Sequence, residues 1–330
     1  MSEIHAIRHK GDRQLTLEVA RIIAKEEGKS VFGVWLRMMR SLIFTGATFK
    51  EYYNLDFTHR TFKNQKTFIT TGSNLKAYGK LNDKSLYHLY INKDEFNNRY
   101  RDFIARDWIN LSSSREEIRA FFASHDGIII KPKDGDSGKG ITVVRDSNRL
   151  TDAEIDEITD KNRSGIAEQL LSNHPRLNEL NPTSLNTMRV ITVRDGDKAR
   201  ILFAGIRFGA KGCEIDNISK GGHIAPIDIE SGRIFARSHT KKSVTQDSAE
   251  CDHIGFEIPM WSELSGYLDR LSAVVPEMRY MAWDIATTQD GFAVIEGNHS
   301  SGNTVIQAHL GRDEQGLRVK LEQIIRNMKK

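Results

Sequence analysis

Two acidic residues interrupt apolar segments late in the chain. Asp284 lies within YMAWDIATT and Glu296 ends FAVIE. A buried carboxylate needs a partner, because removing its charge from water costs free energy. If residues 289–291 form a three-residue hairpin loop with Gly291 in the left-handed conformation, Asp284 pairs directly with Glu296. The sequence therefore predicts that these two carboxylates converge.

Asn298 follows Glu296 by two residues and should point to the same side of an extended chain. Asp284, Glu296 and Asn298 form an all-oxygen set that suits Mg²⁺, whereas zinc prefers His and Cys. Like charges at this distance repel unless a cation lies between them, so we predict these three residues as metal ligands. The alternative is a pair of strand-end acids held by hydrogen bonds alone.

A glycine-rich loop lies between two β-branched runs in IIIKPKDGDSGKGITVV, residues 128–144. Walker A loops and Rossmann turns have other spacings and open a helix, so neither is present. A loop between two strands can instead fold over a triphosphate, and Lys131 would offset the cost of its buried charge by meeting phosphate. The alternative is a solvated lysine at a strand end. The predicted phosphate-contacting residues are Lys131, Asp134, Gly135, Ser137, Gly138, Lys139 and Gly140.

The composition excludes several classes of protein. The chain has 330 residues, of which 38% are hydrophobic and 28% charged, and a net charge of +4, without an arginine-rich stripe that would indicate nucleic-acid binding. Its two cysteines, Cys213 and Cys251, form no disulfide or zinc motif, and the amino-terminal residues show no signal peptide, so we expect a cytoplasmic protein. Segment 31–46 is interrupted by Arg37 and Arg40 and should not span a membrane. Contact of this segment with an anionic membrane surface is a secondary hypothesis, because such a helix more often packs on its own core.

The length of the chain predicts two or three lobes, and hydrophobic periodicity predicts an α+β protein. Helices are expected at 14–27, 31–45, 261–275 and 313–328, and strands at 128–131, 141–144, 166–170, 188–194, 199–208, 280–287 and 291–296. Segment 47–80 shows no clear period. We expect a mostly helical substrate-side region at 1–80, a lid lobe at 81–170 and a lobe with the metal site at 171–330.

The hairpin KPxxGxxGxG resembles the nucleotide lid of the ATP-grasp superfamily, in which the lysine contacts the ATP phosphates. The D…ExN spacing is similar to the magnesium signature of the same superfamily. Asp83-Lys84 resembles the step that supplies a second ATP lysine, and the alternative is an exposed lysine at a helix start. AEQLL, residues 167–171, resembles the hinge strand whose backbone binds the adenine edge. This resemblance implies that Glu168, Gln169 and Leu170 contact adenine. The following SNHPRL lacks the acid with which many members bind ribose.

Arg189, Arg207, Asn217 and the pair Gly221-Gly222 follow the order of the glutamate-ligase-like branch. Over residues 80–310 the chain more closely resembles the sugar-transfer associated ATP-grasp family. The resemblance implies that Arg207 stabilises the transferred γ-phosphoryl group, that Arg189 holds a phosphate or acyl phosphate, and that Asn217 contacts ATP. Exposed strand arginines are the alternative.

The resemblance implies an ATP-grasp fold, in which two α+β lobes clasp ATP beside a helical amino-terminal region. It also implies an ATP- and Mg²⁺-dependent ligase that forms an amide from a carboxylate and an amine through an acyl phosphate. A sugar acid or amino acid in polysaccharide biosynthesis is the expected substrate class. The alternatives are a phosphotransferase acting on a hydroxyl and an inactive ATP-binding module.

Overall fold

The computed structural model describes residues 10–134, 140–209, 222–239, 253–300, 302 and 304–328. Its contacts divide the chain into two compact units. Unit 1 comprises residues 1–80, 236–252 and 302–330, and unit 2 comprises residues 81–235 and 253–301. Each unit has its own hydrophobic interior.

Unit 1 is helical. Its helices are α1 (Lys10–Glu27), α2 (Val31–Thr45), α3 (Phe49–Asn54), α4 (Phe62–Gln65), α5 (Thr71–Leu81, whose last residue belongs to unit 2) and, late in the chain, α11 (Arg318–Asn327). A 3₁₀ helix spans Phe57–His59. The predicted helices at 14–27 and 31–45 are therefore confirmed, and the unassigned segment 47–80 is a series of short helices. The predicted helix at 313–328 begins later than expected.

The short helices of unit 1 are held by capping and by tertiary hydrogen bonds. Ser30 accepts from the backbone N–H of Gly33 at the start of α2, and Gly46 closes α2 with φ 73°. The Glu51 carboxylate is buried, completes a capping box with Thr48, and accepts from the backbone N–H of Thr71 at 2.9 Å. One acidic side chain thus joins the starts of α3 and α5.

Unit 2 contains two antiparallel sheets. The strands are β1 (Trp108–Asn110), β2 (Gly127–Pro132), β3 (Thr142–Arg145), β4 (Gly165–Gln169), β5 (Thr187–Asp195), β6 (Lys198–Phe208), β7 (His223–Pro226), β8 (Tyr280–Thr287) and β9 (Phe292–Asn298). The first sheet has the order β1-β4-β2-β3 and the second β7-β6-β5-β8-β9. The strands predicted from the sequence are confirmed with small shifts at their ends.

Helices pack on both sheets. In chain order, the helices of unit 2 are α6 (Lys93–Arg99), α7 (Arg101–Ile104), α8 (Arg115–Ala123), α9 (Asp152–Lys161) and α10 (Trp261–Ala273). Ile118 of α8 and Ile155 of α9 pack with Ile128 and Ile130 of β2 in one cluster. The 3₁₀ helix Lys84–Tyr90 and α6 pack on β9. The backbone N–H of Lys93, at the start of α6, donates to the carbonyl of Lys133 just after β2, so α6 contacts both β9 and the hairpin of β2 and β3.

The β8–β9 hairpin reaches the predicted pairing by a different route. Thr287 pairs with Phe292, so residues 288–291 form a four-residue loop, and the prediction of a three-residue loop is wrong. Gly291 has φ 141°, which lies outside the left-handed helical region. The register shifts between Asp284 and Ile285, where Ile295 is the extra residue of a β-bulge. The bulge restores the register and sets Asp284 opposite Glu296.

Among the helices of the described residues, none is both long enough and apolar enough to cross a membrane.

Candidate functional site

The second sheet carries a row of charged residues across four neighbouring strands, β6, β5, β8 and β9. Arg189 of β5 pairs in register with Asp284 of β8, which pairs with Glu296 of β9. Arg207 of β6 is opposite Thr187, which lies two residues from Arg189 along β5. Because alternate residues of a strand share a face, this register places the predicted arginines and acids side by side.

Asp284 is the centre of this row and is buried, with 4% of its surface exposed. Arg207 Nη2 and Arg189 Nη2 each lie 3.0 Å from its Oδ2. Arg189 Nε lies 2.6 Å from Oδ1, but neither atom has a partner with hydrogen-bond geometry. The contact at Oδ1 is therefore a close approach of opposite charges, which leaves that buried oxygen without a hydrogen bond.

Arg207 is oriented by its own sheet. Its Nε and Nη2 donate to Thr187 Oγ1 at 3.1 and 2.7 Å. The guanidinium is 14% exposed. One hydroxyl therefore fixes the plane of the fork, and Nη2 also lies 3.0 Å from Asp284 Oδ2.

Glu296 is half-buried beside Asp284. Burial raises the pKa of Glu296, and the neighbouring Asp284 raises it further, while Arg189, Lys93 and Arg207 oppose the shift. Lys93, the first residue of α6, is thus part of the electrostatic environment of this carboxylate. Nothing in the sequence pattern indicated Lys93, because it approaches the row only through the packing of α6 on β9.

The residues at this point fit a magnesium ion. Asp284 and Glu296 supply carboxylates, Asn298 lies on β9 two residues from Glu296, and Asp284 Oδ1 is a buried oxygen without a hydrogen bond. Hard oxygen donors of this kind suit Mg²⁺. Among the described residues there is no group of three or more His, Cys, Asp and Glu side chains that could hold a metal. The third ligand of the predicted set is an amide, so the assignment of Asp284, Glu296 and Asn298 as ligands stays a prediction.

Lys131 lies in a second charged cluster, on the first sheet. Its Nζ is 2.5 Å from Glu168 Oε2, and both residues are buried. Burial lowers the pKa of Lys131 and Arg106 lowers it further, whereas the carboxylates of Glu168 and Glu296 raise it. The lysine expected to meet phosphate is therefore held by a protein carboxylate in this structure, and Glu296 is close enough to influence it.

Glu168 also accepts from Arg106 and from Asn97 of α6. The Arg106 Nε and Nη2 atoms lie 3.0 Å from Oε2 and Oε1, and Asn97 Nδ2 lies 2.8 Å from Oε1. These contacts satisfy the carboxylate and hold its pKa well below the ordinary value against the opposing effect of burial. The side chain of Glu168 is a counter-ion to Lys131 and Arg106.

Arg106 joins the two sheets. Its Nη1 donates to the carbonyl of Val294 at 2.8 Å, and its Nη2 approaches the carbonyl of Ile295 at 3.4 Å. Ile295 is the bulged residue directly before Glu296, so its carbonyl is available to a side-chain donor. One buried guanidinium therefore links the partner of Lys131 to the strand that carries Glu296.

The remaining predicted residues are placed less decisively. Lys84 is exposed at the start of a 3₁₀ helix capped by Asp83, and Asp134 is also exposed. The backbone N–H groups of Gln169 and Leu170 donate to the carbonyls of Asp107 and Gly127, both at 2.9 Å. The adenine-reading role of residues 168–170 stays a prediction, with those two donors engaged within the sheet.

Gly140 has φ 72° and lies against Pro132, where a Cβ atom would come within 2.9 Å of the proline ring. It closes the β2–β3 hairpin on the β3 side in a conformation that favours glycine. The other predicted loop and nucleotide residues lie outside the described residues. They are Gly135, Ser137, Gly138, Lys139, Asn217 and Gly221.

Comparisons with known proteins agree with the fold. A family model described as sugar-transfer associated ATP-grasp matches residues 73–326. No curated protein is significantly similar in sequence.

Solved structures similar to this chain include three proteins. The ATP-grasp ligase PsnB, complexed with minimal precursor, Mg and ADP, is 16% identical over 82% of this chain and 70% of that chain, with a TM-score of 0.44. D-alanyl-alanine synthetase A from Vibrio cholerae O1 biovar eltor is 13% identical over 73% of this chain and 65% of that chain, with a TM-score of 0.42. D-cycloserine synthetase DcsG is 10% identical over 76% of this chain and 74% of that chain, with a TM-score of 0.45.

Proposed function

The chain belongs to the sugar-transfer associated ATP-grasp family, and on this premise we propose that it is an ATP- and Mg²⁺-dependent ligase that joins a carboxylate to an amine through an acyl phosphate. We further propose a cytoplasmic site of action, where ATP is supplied. A sugar acid or an amino acid used in polysaccharide biosynthesis is the proposed substrate class.

The observation that carries this proposal is the convergence of two arginines and two carboxylates on one row of the second sheet. Arg189 and Arg207 both lie within 3.0 Å of Asp284, which pairs with Glu296. Phosphoryl transfer from ATP needs cations near the γ-phosphate oxygens and carboxylates that hold Mg²⁺. The row supplies both within one rigid sheet, which favours accurate positioning.

Asp284, Glu296 and Asn298 would hold the metal. Bound there, Mg²⁺ neutralises charge on the phosphates of ATP. Lys131 and the hairpin of β2 and β3 would meet the phosphates from the first sheet, with Glu168, itself bound by Arg106, holding the lysine until then.

The chemical steps need no covalent enzyme nucleophile. A carboxylate oxygen of the substrate attacks the γ-phosphorus, the bond to the β–γ bridging oxygen breaks, and ADP leaves. The amine then attacks the acyl carbon, inorganic phosphate leaves, and the amine loses a proton as the amide forms. Arg207 faces the charge that develops on the transferred phosphoryl group, and Arg189 holds the acyl phosphate.

We propose a separate role for each of three regions of the chain. Residues 81–170 bear the hairpin and the lysine cluster, residues 171–330 bear the metal-binding row, and residues 1–80 contribute to the choice of substrate. No chemistry readable in residues 1–80 names the carboxylate or the amine, so the substrates must be found by screening.

The test is a screen of carboxylates and amines for stimulation of ADP release, with mass spectrometry of the products. A condensed product whose mass equals the two substrates less one water supports the proposal. Hydroxylamine added during turnover should trap a hydroxamate, because it attacks an acyl phosphate. A stable phosphoester without a hydroxamate would instead identify a phosphotransferase acting on a hydroxyl, and ATP binding without ADP release across the screen would identify an inactive module.

A further inference from the structure

Three helix faces of unit 1 converge on a hollow of about 580 Å³. It is lined by the end of α2, by one face of α5 and by one face of α11, and it lies wholly within unit 1. Small-molecule sites usually have volumes of about 300–1,000 Å³, so the hollow is large enough for part of one ligand. The proposed ligase site does not use it.

The charge around the hollow is mostly positive. Lys76 and Lys80 of α5 and Arg318 and Arg326 of α11 line it, against one carboxylate, Glu322. Glu322 is already paired with Arg318 at 2.7 Å. Lys76 and Lys80 are exposed and form no ion pair within the part of the chain that the structure describes. The hollow therefore suits an anion.

Apolar side chains also line the hollow. Ile43 and Phe44, in the last turn of α2, are 68% and 63% exposed, and Leu321 and Ile325 of α11 lie beside them. A site with cations at its rim and aliphatic and aromatic groups in its walls matches a ligand with an anionic head and an apolar body.

The exposed apolar surface continues along α2. This helix buries Val34 and Met38, yet Phe32, Leu36 and Ile43, on its opposite side, are 68%, 48% and 68% exposed. The expectation of one apolar stripe packed on the core is therefore incomplete, because α2 has a second stripe that faces outward. Exposed apolar side chains grouped on one side of a helix are typical of an interaction surface.

The cations near this stripe indicate whether it binds a second copy of the chain or an anionic membrane. The α2 sequence contains two arginines and no acid. The Arg40 guanidinium lies 3.8 Å from the centre of the Phe62 ring, and Lys66 Nζ lies 4.8 Å from it. Two copies of this surface would bring like charges together, which disfavours self-association. Anionic lipid offers the matching charge, and basic residues beside outward apolar side chains are typical of helices that lie on membranes.

We propose that the face formed by α2, α5 and α11 docks on membranes containing anionic phospholipid, with a lipid phosphate held in the hollow near Lys76 and Lys80. Ile43 and Phe44 then enter the boundary between headgroups and acyl chains. This inference does not depend on the ligase reaction and would bring the enzyme to substrates that are carried on lipids.

The test is co-sedimentation of the full chain with vesicles. Vesicles of equal parts phosphatidylcholine and phosphatidylglycerol should sediment the protein, and vesicles of phosphatidylcholine alone should not. Each basic residue near an anionic surface contributes about a fivefold factor to binding. The double variant Lys76→Glu/Lys80→Glu should therefore lower binding at least tenfold, and Ile43→Ser/Phe44→Ser should lower it at equal charge.

The matched control is Lys161→Glu/Arg163→Glu, which makes the same charge change at exposed residues of unit 2 and should bind nearly as well as the unmodified chain. Equal loss in this control would show a net-charge effect and overturn the proposed site. Equal binding to both kinds of vesicle, or to neither, would also overturn it. So would a dimer, measured by light scattering without lipid, that Ile43→Ser/Phe44→Ser dissociates.

Discussion

Arg106 and Glu168 form a buried ion pair with two N–O distances of 3.0 Å, and the same guanidinium donates to the carbonyl of Val294. Both side chains are almost fully excluded from solvent. The pair therefore connects β4, whose Glu168 binds Lys131 of β2, with the bulge of β9 that sets Glu296 opposite Asp284. Lys131 of the predicted phosphate loop and Glu296 of the predicted metal site are therefore connected through Arg106, which belongs to neither motif.

Arg106→Lys should destabilise the chain although it keeps the charge. An ammonium cannot reproduce the planar fork that reaches Glu168 and the carbonyls of β9 together. We expect the free energy of unfolding, measured by urea denaturation, to fall by about 2–4 kcal/mol.

Arg119→Lys is the matched control for Arg106→Lys. Arg119 pairs with Asp156 at the surface, and a partly exposed pair of this kind contributes about 0–1 kcal/mol. If the two variants lost the same stability, Arg106 would not be the link described here.

Glu168→Gln should change how stability depends on pH. Burial would raise the pKa of Glu168, but Arg106 and Lys131 outweigh burial and hold it below the ordinary value of 4.5. Since the folded-state pKa is lowered, the ionised carboxylate contributes stability that is complete above the unfolded pKa and is lost as the pH falls through the folded pKa.

The loss of stability in Glu168→Gln should therefore be largest near neutral pH, at about 3–5 kcal/mol, because two buried cations lose their partner. It should shrink progressively as the pH falls below 4.5. Urea denaturation at several pH values measures the free energy of unfolding of the unmodified chain and of Glu168→Gln. A difference that stays constant from neutral to acidic pH would contradict the assignment of this carboxylate as the ionised partner.

Most strands of unit 2 could be predicted because their signal is local. β8 spans Tyr280–Thr287, and its bounds match the prediction from an apolar run that Asp284 interrupts. The pairing of Asp284 with Glu296 was also predicted, but from a loop length that is wrong. The four-residue loop and the bulge at Ile295 offset one another, and neither can be read from the sequence of the hairpin.

The short helices of unit 1 and the Arg106 link could not be predicted for a different reason. Helices such as α3 and α4 are too short to show a period, and they are held by side chains such as Glu51 that reach another element. Arg106 and Glu168 are distant in sequence and meet only in the folded sheet. The one available signal was Glu168 itself, since an acid within the apolar strand β4 requires a buried cation.

Gly297→Ala should destabilise the packing around β9. A Cβ atom there would lie 2.9 Å from Tyr90 and 3.0 Å from both Phe96 and Trp283. Because this aromatic cluster cannot move aside without disturbing β9, we expect a loss of about 1–3 kcal/mol in thermal or urea unfolding.

Gly266→Ala is the control for this substitution. Gly266 lies within α10, and its nearest neighbour to an added Cβ is the end of the Arg270 side chain at 3.7 Å. There alanine should stabilise the helix by about 0.5–1 kcal/mol. A similar loss of stability at both positions would contradict the packing role of Gly297.

Glu296→Gln should abolish magnesium-dependent turnover while the fold is retained. The amide is nearly the same size but lacks the charge that Mg²⁺ requires. We expect ADP release to fall at least about 100-fold, because removal of residues that only support a metal ligand already costs about 10–100-fold. Glu277→Gln, at an exposed acid of unit 2, should leave turnover unchanged. Full activity of Glu296→Gln at low magnesium would refute the assigned site.

Arg207→Lys should lower kcat more than it raises the KM for ATP. The Thr187 hydroxyl fixes the plane of the guanidinium. A lysine ammonium has no such plane and cannot contact Thr187, Asp284 and a phosphoryl group together. If Arg207 stabilises charge that develops only in the transition state, its loss should cost about 10²–10³-fold in kcat. Steady-state ADP release with Arg200→Lys, an exposed arginine of the same strand, provides the control. A rise in the KM for ATP at unchanged kcat would instead make Arg207 a residue that only binds nucleotide.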